Sequence, residues 1–178
     1  MSISDPDADL KARTAEFDGL LQAVGQAITD WAQVEEGLFH IFFRALAAPA
    51  LGPPACAFIA ADNVRAKIAM VDSIIRHSSL TKPLIPQWEE LLKRLNKARG
   101  NRNDVAHRKA AILQIGKGKP RAALLTYNHD FRPSLKGEPH RMSYITLDRV
   151  KELAIEFRTL GRDLASFSAS IPLPPKRQ

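Results

Sequence analysis

From Leu20 to Leu46 the chain places apolar residues at Leu20, Leu21, Val24, Ile28, Trp31, Val34, Leu38, Phe42 and Leu46. Steps of three and four keep such positions on one stripe of a helix, so the pattern predicts a long helix over 10–47. Pro49, Gly52, Pro53 and Pro54 end it. A second helical pattern, with Phe58, Ile59, Ile68, Val71, Ile74 and Ile75, covers 55–77, and the Asp62-Asn63 pair is expected to loosen it. Pro86 suits the first turn of a third helix, which carries Trp88, Leu91, Leu92, Leu95 and Ala98 to about His107. The period then changes. Two short apolar runs, 111–115 and 121–127, flank Gly116-Lys117-Gly118-Lys119-Pro120 and read as a β-hairpin. Residues 128–143 read as loop. Thr146-Leu147-Asp148 offers a cap for a last helix with Val150, Leu153, Phe157, Leu160, Leu164 and Phe167. The expectation is an all-α chain, an antiparallel four- to five-helix bundle over 10–170, with an inserted hairpin and loop at about 110–145. Residues 1–9 and 171–178 are expected to be flexible ends.

At 178 residues and 45% apolar composition, one domain with a full-sized core is expected, without staples. The single cysteine, Cys56, excludes an internal disulfide and a cysteine-based zinc site. The longest apolar run, 55–61, is far shorter than a membrane span, and the first residues lack the pattern of a signal peptide. A soluble, cytoplasmic protein with no membrane role is expected. Charge adds more. The net charge is +7, yet residues 1–47 carry −5 and residues 82–121 carry +8. A dense positive segment attracts polyanions such as nucleic acid in a salt-dependent way, or complements the acidic first helix within the fold or a dimer.

Two charged residues interrupt apolar stripes. Arg102 falls seven after Leu95, four after Ala98 and three before Val105; Glu35 falls four after Trp31 and three before Leu38. A charge withdrawn from water needs a partner or an open site. Glu35 and Arg102 are therefore expected to face each other, either as a register-fixing ion pair or as part of a site. Arg99, Asn103 and His107 are spaced i, i+4, i+8 and share one side of the third helix. His107 is suited to proton transfer near neutral pH, or to the charge at a helix C-terminus. Arg108 and Lys109 extend the cationic cluster. Gly116-Lys117-Gly118-Lys119 lacks the spacing of a phosphate loop, and neither His129 nor His140 has helical metal-ligand spacing, so no metal and no cofactor are expected.

The stretch Arg102-Asn103-Asp104-Val105-Ala106-His107 resembles the Arg-x4–6-His motif of HEPN domains, including the polar residue after the arginine. The setting is similar too: a first helix with Trp31-x-x-Val34-Glu35-x-x-Leu38, the motif near the end of a later helix, and a closing helix. The resemblance covers about 15–170, although the motif itself is six residues. It implies a dimeric helical bundle and, in many members, a metal-independent endoribonuclease, often a toxin; others bind RNA or nucleotides or assist a partner protein. By the motif, Arg102 and His107 are the catalytic pair and Asn103 the adjoining polar residue. Glu35 is a supporting residue, and Arg99, Arg108 and Lys109 are candidate phosphate ligands. The partners implied are RNA, a second copy of the chain, and a cognate antitoxin or other protein. Three functions stay open: an endoribonuclease, a non-catalytic binding module of the same kind, and a helical interaction protein with no site.

Overall fold

The computed structural model describes residues 6–47, 52–114, 120–126 and 144–172. They are mostly helical, with five α-helices and one small three-stranded antiparallel sheet. Helix α1 spans Pro6–Leu46, α2 Pro53–Ala60, α3 Val64–His77, α4 Ile85–His107 and α5 Leu147–Ser170. Strand β1 is Lys109–Leu113, β2 Arg121–Leu125 and β3 Tyr144–Thr146.

The predicted elements are present, with four differences. Helix α1 begins at Pro6 rather than at residue 10. A proline costs least at a first helical position, and the negative Asp7 in the first turn suits the helix dipole. The expected 55–77 helix is two helices, parted at Ala61–Asn63, and Asn63 caps the second by accepting a 2.8 Å hydrogen bond from the Ala66 amide. Tyr144–Thr146, read as the end of a loop, pairs with β2 as a third strand. Ile171, assigned to a flexible tail, is buried, its amide bonded to the Ser168 carbonyl at 3.2 Å. The hairpin tip at 115–119 and the histidines at 129 and 140 lie outside the described residues.

The described chain groups into two compact units. The first is helical and comprises 29–101 and 155–172. Its core includes Trp31, Val34, Leu38, Ile41, Val71, Ile75, Trp88, Leu95, Phe157, Leu164 and Phe167. Trp31 meets Phe157 edge-on with ring centroids 5.2 Å apart, and Trp88 lies 5.7 Å from Phe167. Here α1 and α5 approach closely because each offers a glycine. A Cβ on Gly37 would lie 2.7 Å from Cβ of Leu164, and one on Gly161 would lie 3.1 Å from Cβ of Gln33. Acids drawn into this unit are paired. Asp30, 1% exposed, accepts from Nε and Nη2 of Arg158 at 3.2 and 3.0 Å. That carboxylate raises the Arg158 pKa, first by hydrogen bonding and then by charge. Asp72 accepts from Trp88 Nε1 and from Arg76 Nε, both at 2.9 Å.

The second unit joins 6–28 of α1, the end of α4, the sheet and the start of α5. Strand β2 is central, with Lys109 opposite Leu125, Leu113 opposite Arg121, and Leu125 opposite Tyr144. Covered on both sides, its Ala122, Ala123 and Leu124 are consecutively buried, which is why it reads as an unbroken apolar run. Leu20, Ala23, Ala27, Val105, Val150 and Leu153 complete this core. The buried line on α1 is therefore Leu20–Ala23–Ala27. Leu21, counted in the predicted core stripe, is 48% exposed, while Val24 and Ile28 are half-buried.

Candidate functional site at the end of helix α4

Helix α4 turns into β1 with one residue between them. His107 ends the helix, Lys109 starts the strand, and Arg108 is the corner. The corner is tied by its own side chain. Arg108 Nη2 donates to Asp104 Oδ1, one turn back, at 3.2 Å, and Nη1 donates to Thr126 Oγ1, just past β2, at 2.8 Å. The Arg108 side chain is only 11% exposed. It thus locks the helix end to the exit of β2 through charge-assisted bonds, and the residues on either side of it inherit that rigidity. His107 and Lys109 are both exposed.

One and a half turns before the corner lies Arg102, half-buried. Its Nη1 is 3.5 Å from Asn103 Oδ1, a long bond, and its Nε is buried without a hydrogen-bond partner among the described residues. Leaving a buried donor unmade costs about 1–3 kcal/mol. Asn103 is exposed. On a straight helix Arg102 and His107 are about 140° apart, so a single copy offers them on different sides. Among the described residues no hydrogen bond holds the His107 imidazole.

The other predicted site residues are placed as follows. Glu35 does not serve as the counter-ion expected for Arg102: its Oε1 accepts from Trp31 Nε1 and its Oε2 from Lys67 Nζ, each at 2.9 Å. The apolar face that carries Glu35 also carries Trp31 one turn earlier, and that indole is the near donor. Lys67 comes from α3, and its ammonium also sits 5.9 Å from the Phe58 ring centre. Arg99 is half-buried and belongs to the helical unit. Thr126 and Asp104 are partners that the sequence reading missed. Asp104–Arg108 is an i, i+4 pair visible in the sequence; Thr126 needs the strand register.

Among the described residues, no cluster of three His, Cys, Asp or Glu side chains could hold a metal ion, and no helix is long and apolar enough to cross a membrane. Comparison with known protein families, curated proteins and solved structures finds no match to this chain.

The helix end carries a guanidinium and an imidazole five residues apart, on different sides of the helix. A guanidinium with an unused buried N–H suits the non-bridging oxygens of a phosphate. An exposed imidazole five residues on can give or take a proton. The corner at Arg108 fixes the backbone from which both are presented.

Proposed function

We propose that the chain is a HEPN-like, metal-independent endoribonuclease that acts as a homodimer. The observation that carries the reading is Arg102, whose Nε is desolvated yet without a hydrogen-bond partner among the described residues, on the same short helix end as an exposed His107. The net charge of +8 over 82–121 supports a polyanionic substrate. In the proposed reaction the 2′-hydroxyl of RNA loses its proton to His107 and attacks the adjacent phosphorus. Arg102 stabilises the charge that builds on the phosphate oxygens. The 5′-oxygen leaves taking a proton from water, His107 returns its own proton to solvent, and the products are a 2′,3′-cyclic phosphate and a 5′-hydroxyl. Because the two side chains diverge on one helix, a second copy would complete the site from its own Arg102 and His107.

The test is incubation of purified protein with mixed RNA in excess chelator. Cleavage with cyclic-phosphate ends is expected, reduced about 100-fold or more in His107→Ala and Arg102→Ala, both still folded. Cleavage that persists in both variants, or that the chelator abolishes, overturns the assignment.

A second reading, a non-catalytic RNA-binding module of the same kind, is favoured by the His107 imidazole, which no hydrogen bond orients among the described residues. It predicts RNA retention that weakens steeply with salt and no cleavage.

A further inference from the structure

Within the helical unit, α4 and α5 leave between them a groove of about 340 Å³, at the small end of the range for ligand pockets. Ala98 and Leu160, both buried, line it together with Ile155. At 60% exposure, Ile155 is the one large apolar residue that α5 leaves to water. The polar lining is unevenly matched. Arg94 Nη2 donates to Asp163 Oδ2 on α5 at 2.7 Å, so that cation is already paired. Thr159 Oγ1 accepts from Arg162 Nη2 at 3.4 Å, which leaves the hydroxyl proton to donate. Lys97 also lines the groove, is exposed, and has no partner among the described residues. Asn101 follows Arg94 by seven residues, Lys97 by four and Ala98 by three, so it projects from the same side of α4 one turn further on. Its Nδ2 is buried and has no hydrogen-bond partner among the described residues, a state that native folds leave to few donors.

These groups name the ligand. Lys97, Thr159 and Asn101 all have donors to spare, so the ligand accepts. One cation, Lys97, is without a counter-charge, so the ligand carries one negative charge. Glu156 in the lining and Asp163 beside it would repel a dianion. Ala98, Ile155 and Leu160 call for an apolar body. The i, i+4 spacing of Lys97 and Asn101 sets their Cβ atoms about 5–6 Å apart, close enough for one carboxylate to take a bond from each.

We propose that the α4–α5 groove binds a small organic monocarboxylate, its carboxylate held by Lys97 and Asn101 and its apolar chain laid against Ala98, Ile155 and Leu160. The proposal does not rest on the nuclease reading, and the two are tested by different measurements. Here the full chain is titrated with hexanoate while its backbone amide resonances are followed by NMR. Saturable shifts are expected at residues 94–101 and 155–160, with a Kd of about 1 mM. 1-Hexanol, the same chain without the charge, is expected to bind at least about tenfold more weakly. Lys97→Gln is expected to weaken hexanoate about tenfold, and Ile155→Asp, which sets a like charge on the groove, to abolish the shifts. Both substitutions fall at exposed positions and are expected to melt as the wild type does. Four outcomes overturn the proposal. Hexanoate shifts nothing in the groove up to about 20 mM. 1-Hexanol binds as well as hexanoate, which makes the groove an apolar slot. Hexanoate binds Lys97→Gln unchanged, which puts the carboxylate elsewhere. Inorganic phosphate displaces hexanoate at a lower concentration than hexanoate itself needs, which makes the groove a phosphate site.

Discussion

The inward-drawn acids of the helical unit and Arg102 near the end of α4 are held in different ways. In the helical unit Asp30 is clasped by both arms of Arg158, Glu35 is held between an indole and an ammonium, and Asp72 is shared by Trp88 and Arg76. Each acid drawn inward meets its donors at 2.9–3.2 Å. Arg102 is treated differently. Its Nε is withdrawn from water with no partner among the described residues, and its nearest bond, to Asn103, is 3.5 Å long. Buried donors without partners are uncommon in native folds, and each one calls for an explanation. The contrast teaches where the chain is built for stability and where it tolerates a cost. A satisfied pair fixes helices; a guanidinium with a buried Nε that has no partner among the described residues contributes less to holding them.

The contrast can be sharpened first where packing and pairing coincide. Trp88 is fully buried, packs against Phe167 with the rings tilted by 40°, and donates to Asp72. Trp88→Ala is expected to cost about 3–5 kcal/mol in urea denaturation, the largest loss considered, because it opens a cavity and strips a donor from an acid. A loss below about 1 kcal/mol would mean that the helical unit is not the structural part of the comparison.

Gly37→Ala comes next. Its new Cβ meets Cβ of Leu164 at 2.7 Å, an atom next to the backbone that cannot swing away, so α1 and α5 must separate. A destabilisation of about 1–3 kcal/mol in the same assay is expected, against a gain from helix propensity of at most about 1 kcal/mol if the helices were free to part. Asp30→Ala follows, at about 1–2 kcal/mol: a buried acceptor is lost, but Arg158 is half exposed and its guanidinium returns to water.

Much of this was legible in the residues. The three-and-four spacing marked four helical segments; the second is two helices, parted at the Asp62-Asn63 pair that was expected only to loosen it. The apolar runs around Gly116–Pro120 announced β1 and β2. Three features were hidden for physical reasons. Tyr144–Thr146 is too short to show an alternation, and its strand character comes from pairing with β2 across a long connection. Leu21 looked like core because spacing alone cannot tell two adjacent apolar lines on one helix apart; burial separates Leu20–Ala23–Ala27 from it. Glu35 was recognised as a carboxylate on an apolar face but assigned to the wrong cation. A stripe shows that a charge needs a partner, and only tertiary placement shows that Trp31 and Lys67 supply it. In the candidate site, Arg102, Asn103 and His107 were named by their motif. The lock that holds their helix end, Arg108 between Asp104 and Thr126, depended half on i, i+4 spacing and half on strand register, and only the first half could be read.

The smallest expected effect on stability bears most directly on the comparison. Arg102→Ala removes a half-buried guanidinium that has one long hydrogen bond and a desolvated, unused N–H. If this residue were a structural pair like Asp30–Arg158, truncation would destabilise the chain. If it is kept for a ligand, deleting it also deletes the cost of its unmade bond, and that gain offsets the lost packing of its methylene stem. Thermal and urea unfolding of Arg102→Ala are therefore expected to lie within about 0.5 kcal/mol of wild type, on either side. Retention on RNA at low salt is expected to fall in the same variant, because a phosphate contact is lost. Arg108→Ala is the internal control: it breaks two bonds at the α4–β1 corner and should cost more stability than Arg102→Ala. A reversed order, with Arg102→Ala the more damaging of the two, would place Arg102 among the satisfied charges and erase the distinction between the two regions.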